Sequence, residues 1–304
     1  SLKSLLPTLD PKRHHPLFPY TTLKIGGPAD IFIQAQNIDQ FISIVKLVHQ
    51  LIDQKLLSSD QFLILGHGSN LLISDYGFPG LVVQNSASEI DFLPNSQVQA
   101  SSGTPLSKLI TATLDHQLTG LENFAYIPAT VGGAIYSHIH GVNQAQFSDF
   151  LDSIDVFDLN SGRRTTILPS QYRWDYDLSP FQTNPNLIIL SAIFNLKSQD
   201  STTAQKTCQT IISQKSAVQP PNSAGCVFKN PPDLSAGQII DQLGWKGKTV
   251  GQAQVSPTHA NFIVNLGGAT AQNYLDLARA VQTDVFQKRG IKLEFEIKLI
   301  GRFD

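Results

Sequence analysis

"FLILGHGSN", residues 62–70, decides how the chain is read. An apolar run of strand length stops at a glycine, and a loop of small, neutral polar residues follows. Gly66 and Gly68 allow close approach of the backbone to a ligand and let successive N–H groups turn toward an anion. Ser69 and Asn70 add neutral hydrogen-bonding groups. The loop lacks the third glycine and the immediate helix of a dinucleotide fingerprint, and it has no Gly-Lys-Ser/Thr of a P-loop. Taken alone, it also reads as a tight turn.

Around it, strand and helix patterns alternate. "ADIFIQ" (29–34) and "LVVQ" (81–84) read as strands, while Phe41, Ile44, Val45, Val48, Leu51 and Ile52 recur at helical spacing behind a cap at Asn37 or Asp39. That alternation marks an α/β or α+β chain. Leu106, Leu109, Ile110 and Thr113 suggest another helix, and a second glycine loop, "IPATVGGA", follows at 127–134. Two such loops in one chain favour a phosphate-bearing cofactor. Around Asn160-Ser161-Gly162, the flanks "IDVFDL" and "RRTTIL" predict a hairpin, and "LIILSAIF" (187–194) a strand.

The polar stretch "KSQDST" (197–202) suggests a boundary. Beyond it, Ala204, Cys208, Ile211 and Ile212 form one helical face, which makes Cys208 a core residue. A second helix carries Tyr274, Leu277, Ala278, Val281 and Val285. In "IKLEFEIKLI" (291–300), apolar and charged residues alternate, predicting one strand with one buried face.

The chain has 304 residues, enough for two or three domains, with 41% apolar and 15% charged residues and a formal net charge of -2. No block of like charge supports binding to nucleic acid or to an acidic membrane. The longest apolar run falls short of the ~20 residues that span a bilayer. The opening residues contain neither a long apolar segment nor a clear cleavage site. Two cysteines make no disulfide framework. The default expectation is a cytoplasmic monomer. The lack of any Met, even at position 1, suggests a trimmed start.

Seven segments in order then resemble the UDP-N-acetylenolpyruvoylglucosamine reductases. "YTTLKIGGPAD" (20–30) is similar to the family's N-terminal signature. "LGHGSNLLISDYGFPGLVV" (65–83) and "IPATVGGAIY" (127–136) resemble the two segments that wrap FAD. "SAGCVFKNP" (223–231), "AGQIID" (236–241) and "VSPTHANFIVNLGGATA" (255–271) resemble the substrate domain, and "GIKLEFEIKLIG" (290–301) the final strand. The short stretch between Phe181 and Leu187 matches the shorter form of the family, without an inserted tyrosine-bearing loop.

The resemblance implies an α+β fold: a two-subdomain FAD-binding module of the vanillyl-alcohol-oxidase (PCMH) type and a smaller α+β substrate-binding domain. The corresponding boundaries are 1–84, 85–197 and 198–304, with packing of the last strand back on the FAD module left open. It implies NADPH reducing FAD, hydride passing to C3 of an enolpyruvyl UDP-sugar, and a proton quenching C2. The cofactor residues carried over are Gly66, His67, Gly68, Ser69, Asn70, Leu71, Ile127, Pro128, Ala129, Thr130, Val131, Gly132, Gly133 and Ala134. Ala129 stands where that loop usually has glycine.

By the same resemblance, Cys226 occupies the position of the serine that donates a proton to C2. An unperturbed thiol pKa of about 8.5 makes it the better acid; the plainer reading is a buried small apolar residue. Glu296 matches the family's catalytic glutamate, although its pattern alone reads as a solvated strand face. In "YRWDYDLSPF" (172–181), Asp177 falls where the family's arginine belongs. A carboxylate there opposes the substrate's negative charge. Arg173, four residues earlier, is a candidate replacement or a surface arginine, and Lys229 is a second candidate. Tyr176, Lys229, Asn230 and His259 are expected substrate contacts. "SHIH" (137–140) departs from the usual Asn and Gly, and with no carboxylate or cysteine cluster nearby it is not expected to bind metal. Two alternatives remain at this stage: an FAD- or nucleotide-binding homologue with altered or lost reductase activity, motivated by Asp177, and another oxidoreductase on this FAD fold.

Overall fold

The computed structural model describes residues 9–303. In chain order the strands are β1 (Lys12–Pro16), β2 (Pro28–Ala35), β3 (Phe62–Leu65), β4 (Leu71–Ile73), β5 (Phe78–Asn85), β6 (Ile90–Leu93), β7 (Gln97–Ser101), β8 (Leu118–Thr119), β9 (Leu151–Asp158), β10 (Arg163–Ile167), β11 (Leu187–Asn195), β12 (Lys197–Ser198), β13 (Thr249–Val250), β14 (Ala253–Val255), β15 (Ile263–Asn265) and β16 (Lys298–Ile300). The helices are α1 (Ile38–Asp53), α2 (Leu106–Asp115), α3 (Val131–Ser137), α4 (Pro180–Thr183), α5 (Thr202–Ser216), α6 (Ala236–Gln242) and α7 (Ala271–Arg289). They form two compact units, and the chain passes from one to the other after Pro11, within β2, after His67, within β5 and within α5.

The first unit holds residues 32–67 and 82–213. Its α1 begins where Asn37 accepts the Gln40 N–H at 2.9 Å, and of the predicted stripe it buries Phe41, Ile44, Val45, Val48 and Leu51, with Ile52 only partly covered. A five-stranded antiparallel sheet runs in the order β10-β9-β11-β7-β6. The β9–β10 hairpin closes as expected, with the Asp158 carboxylate accepting from Asn160 N–H and Ser161 O–H at 2.9 and 2.8 Å. Val98, Ala100, Ile154, Val156, Ala192 and Phe194 of this sheet share one core with Leu109 and Ile110 of α2 and with Val131, Ala134 and Ile135 of α3. On α5, Ala204, Cys208 and Ile211 are buried, but Ile212 is 46% exposed, so the apolar stripe is narrower than its spacing suggests.

The second unit holds residues 12–31, 68–81 and 214–304. It contains the sheet β13-β14-β15, and the chain extends that sheet irregularly. Asn265 N–H donates to Asn222 C=O, Ser223 pairs with Val264, and Phe228 pairs with Phe295. Helix α7 starts at a capping box formed by Thr270 and Asn273, ends at Gly290 in the left-handed conformation, and buries the predicted Tyr274, Leu277, Ala278, Val281 and Val285. Residues 291–300 are not one strand. Phe295 makes an antiparallel bridge with Phe228, the chain bends at Ile297, and β16 then pairs in parallel with β4. Two partners of opposite sense require the break. Leu293 and Ile297 keep the buried alternation, whereas Leu299 is 37% exposed.

The turn between β4 and β5 is packed without room for a side chain. Gly77 has φ +79°, and a Cβ there would lie 1.8 Å from the Pro28 carbonyl oxygen. The same turn presents Asp75, whose carboxylate accepts the first N–H groups of α7, Ala271 at 2.8 Å and Gln272 at 3.1 Å. Gly77→Ala is expected to destabilise the protein by about 3 kcal/mol or more, read as a lower denaturation midpoint.

Candidate active site

The glycine loops form a cradle of close approaches. Thr130 caps α3 by accepting the Gly133 N–H at 3.2 Å, and a Cβ on Gly66 would lie 2.7 Å from the same Thr130 Oγ1. Gly132 N–H donates to Ser102 C=O at 2.7 Å, and a Cβ at Gly132 would come within 2.9 Å of the Ser102 side chain. A side chain at Gly66 would push the two loops apart, and one at Gly132 would push α3 away from Ser102. Gly68 lies in the left-handed region at φ +59°. The main-chain N–H groups of residues 67–69 donate to no acceptor among the described residues. A run of uncommitted amides beside the Ser69 hydroxyl is a donor set suited to a diphosphate and needs no cationic side chain.

Other loop residues are structural as well. Val131 and Ala134 are fully buried in the first unit's core, and Ala129 C=O accepts the Leu106 N–H at 2.9 Å. Ala129 is not among the positive-φ residues, so its methyl strains no backbone. The Pro128 carbonyl faces the exposed His67 imidazole. Asn70 and Leu71 belong to the second unit, where Asn70 Nδ2 reaches Glu296 C=O at 3.4 Å and Lys298 N–H donates to Asn70 C=O at 3.0 Å. Leu71 opens β4, opposite Lys298.

Cys226 is half-buried in that second unit, one residue after Gly225, which has φ +78°. Its loop is tied down by the Thr22 hydroxyl, which donates to Ser223 C=O at 2.6 Å. Beyond it, Glu296 N–H donates to Val227 C=O and Lys229 N–H to Glu294 C=O, both at 2.9 Å. These two bonds flank Phe228 and Phe295 as a close antiparallel pair, with ring centroids 5.4 Å apart. Asn261 holds the pair from the other side: it accepts from Phe228 N–H at 3.1 Å and donates to Phe228 C=O at 2.7 Å. The structure thereby brings Cys226, Lys229 and Glu296 onto adjoining segments.

Asn230 Oδ1 accepts Ala236 N–H at 3.0 Å at the start of α6, and a Cβ on the neighbouring Gly237 would lie 3.3 Å from the His259 ring. His259 Nδ1 accepts the Asn261 N–H at 3.3 Å. Tyr274 is wholly buried, and its hydroxyl has no hydrogen-bond partner among the described residues. Burial, and secondarily the charge of Cys226, holds its phenol far above the ordinary value. The spacing of α7 marks Tyr274 only as core, and nothing in the pattern signals a hydroxyl near the thiol.

In the first unit, the departures at 137–140 and 174–179 meet. His138, the left-handed C-cap of α3, is buried, with Nδ1–H donating to Asp175 C=O at 2.6 Å and Nε2 at 3.0 Å from Ser148 Oγ. His140 Nδ1 lies 4.0 Å from Asp177 Oδ1, and its ring sits 4.9 Å from that of Tyr176. Arg173 points to solvent at 86% side-chain exposure and pairs with Asp175 at 2.7 Å. No group of three or more candidate ligands that could hold a metal occurs among the described residues. Cys208 is buried with its thiol 3.9 Å from Glu122 C=O, and burial, aided by Glu122, pushes its pKa up to about 11.

Comparison with known proteins gives these parts a common context. Residues 29–167 match the family described as FAD binding domain, and residues 214–300 match the C-terminal domain of UDP-N-acetylenolpyruvoylglucosamine reductase. The reductase of Listeria innocua is 36% identical over 99% of this chain and 98% of its own length. That of Chlamydia muridarum is 36% identical over 94% of this chain and 93% of its own. The crystal structure of the reductase from Thermus caldophilus superposes with a TM-score of 0.79 at 30% identity, covering 96% of this chain and 99% of that one.

The chain belongs to the UDP-N-acetylenolpyruvoylglucosamine reductase family.

Within the reductase family, the FAD-binding match spans both glycine loops, and the C-terminal match spans Cys226, Lys229, Asn230, His259 and Glu296. FAD is the cofactor, and the uncommitted amides at 67–69 with the side-chain-free approaches at Gly66 and Gly132 fit it.

Removing the Asn261 amide leaves the N–H and C=O of buried Phe228 unpaired. Asn261→Ala is therefore expected to cost about 2–4 kcal/mol in a denaturant titration. His259 carries a pKa lowered by burial first and then by Lys215 and Lys246, although its own backbone opposes the shift. A depressed histidine stabilises the fold above its unfolded pKa of about 6.5, and this is lost as pH falls through the folded value. The melting temperature is expected to drop between pH 7.5 and 5.5, with a shallower drop in His259→Asn.

Proposed function

We propose that this chain reduces UDP-N-acetylglucosamine enolpyruvate to UDP-N-acetylmuramate, a peptidoglycan precursor, as an FAD oxidoreductase using NADPH. The observation that carries this reading is the near-full-length match to reductases of that name, with both modules in order. Bound FAD, with NADPH as reductant, would supply the hydride chemistry at C3 of the enolpyruvyl group.

The chain's own residues must bind the cofactor, orient the substrate and supply a proton. In the first unit, the Thr130-capped loop, with Gly66 free of a side chain beside it, would take part in holding the FAD diphosphate, and the uncommitted amides at 67–69 would be donors for it. Cys226 gives its thiol proton to C2 and is left as the thiolate. Glu296, fixed through its N–H to the strand that follows Cys226, controls protonation beside the substrate's carboxylate. Lys229, Asn230, His259 and Tyr176 contact the UDP-sugar, the middle two standing at the start of α6.

A reaction that consumes NADPH and a nucleotide sugar fits a cytoplasmic enzyme, and a monomer is the form we propose. The near-neutral net charge gives no support for binding nucleic acid. No described helix is long and apolar enough to cross a membrane.

The purified protein should be yellow and oxidise NADPH only when the enolpyruvyl UDP-sugar is present. Protein that is colourless and cannot be loaded with FAD would sink the reading. In stopped flow, Cys226→Ala should slow flavin reoxidation by substrate roughly 10²- to 10⁴-fold while NADPH still reduces the flavin at the wild-type rate. Unchanged rates in both half-reactions would make Cys226 a packing residue.

A further inference from the structure

Asp177 leaves a question of charge: a carboxylate stands where the family resemblance places an arginine, and the substrate is itself a carboxylate. Arg173 is committed to Asp175 on the surface, at 2.7 Å and 86% side-chain exposure. The carboxylate of Asp177 faces a histidine instead. His140 Nδ1 lies 4.0 Å from Asp177 Oδ1, with the two side chains 23% and 18% exposed. That nitrogen is buried and has no hydrogen-bond partner among the described residues.

The surroundings hold the pair in place. Residues 175–178 form a tight turn with reciprocal 3.1 Å bonds between Asp175 and Leu178, and Asp177 sits in it at φ +51°, a conformation that costs a residue with a Cβ. Gln182 Nε2 donates to Asp177 C=O at 2.9 Å and to Tyr136 C=O at 3.0 Å, joining this turn to the end of α3. The His140 ring lies 4.9 Å from the Tyr176 ring and 4.8 Å from the His138 ring, and Tyr126 donates to its carbonyl at 3.4 Å. His138 has both ring nitrogens engaged. His140 Nδ1 has no hydrogen-bond partner of ordinary geometry among the described residues, although the His138 backbone lies close enough to favour its protonated form. His140 lies three residues beyond the last residue of α3, the helix that begins at the glycine loop of the FAD module.

We propose that His140, oriented and charge-balanced by Asp177, is the residue of this unit that binds the carboxylate of the enolpyruvyl substrate, in the role for which the resemblance expects an arginine at 177. This rests on the reductase reading above. An imidazolium between two carboxylates donates from Nδ1 to Asp177 and from Nε2 to the substrate, so a histidine–aspartate pair presents a single net-neutral donor where an arginine presents a cation. Two departures from the family pattern, at 140 and at 177, become one exchange. The groups facing His140 are His138, Asp149, Tyr126, Tyr176 and Asp177. Burial first, and then the charge of His138, lower the pKa of His140 against the opposing pull of Asp149 and of the His138 backbone. Without substrate the imidazole is therefore mainly neutral at neutral pH, and binding a carboxylate draws in a proton.

The test is the dissociation constant of the enolpyruvyl UDP-sugar, read from the shift of the flavin absorbance in the FAD-loaded enzyme between pH 6 and 8. Wild-type affinity should weaken as pH rises. His140→Gln should weaken binding at pH 6 roughly 10- to 100-fold and flatten the pH dependence, with NADPH-driven flavin reduction intact. Asp177→Asn should shift the dependence toward lower pH. The double change His140→Gly with Asp177→Arg should recover affinity and lose the pH dependence. His140→Gln that retains FAD and keeps wild-type affinity and slope overturns the proposal. If His140→Gln fails to load FAD, an Asp177→Asn enzyme of unchanged affinity and slope overturns it instead. A wild-type enzyme that does not bind the enolpyruvyl sugar at all removes both this proposal and the reductase reading.

Discussion

The antiparallel pairing of residues 227–229 with 294–296 is the constraint on which the second unit's chemistry depends. Two main-chain hydrogen bonds at 2.9 Å and the Phe228–Phe295 contact bring segments from the two ends of the C-terminal domain into register. Asn261 completes the pairing by using both ends of its amide on one buried residue. A polar side chain at 2% exposure is tolerated because each of its bonds replaces one that water would make. Cys226 and Glu296 flank this pairing, so their placement follows from backbone geometry more than from contacts of their own.

The same economy of charge runs through the FAD module. Its cradle is built by removing side chains, at Gly66 and Gly132, and by leaving amides uncommitted. A diphosphate bound by main-chain dipoles needs no cluster of lysine and arginine, which reconciles a nucleotide-binding protein with a net charge of -2. The cost is conformational: a methyl at Gly66 would meet the hydroxyl that caps α3.

Regular elements were legible in the sequence wherever one period governed them. The α1 stripe, its Asn37 cap, the β9–β10 hairpin and the buried face of α7 all follow from local spacing and turn chemistry. Legibility failed where a segment serves two partners. Residues 291–300 alternate like a single strand, yet the chain bends at Ile297 because Phe295 pairs antiparallel with 228 and β16 pairs parallel with β4. Ile212 fits the spacing of α5 but stays exposed, since periodicity defines a face and says nothing of how wide the covering surface is.

By itself, the sequence determined the family and the FAD-binding module, because ordered motifs record local backbone requirements such as glycine at a close approach. It also showed that Asp177 and the histidines of "SHIH" depart from the family pattern. Only the tertiary structure decided that these departures are neighbours, 4.0 Å apart at His140 and Asp177, and that Arg173 is occupied at the surface. The physical reason is that the charge a buried site requires is a sum over residues distant in the chain. A carboxylate reads as a defect in one segment until the fold places its histidine opposite.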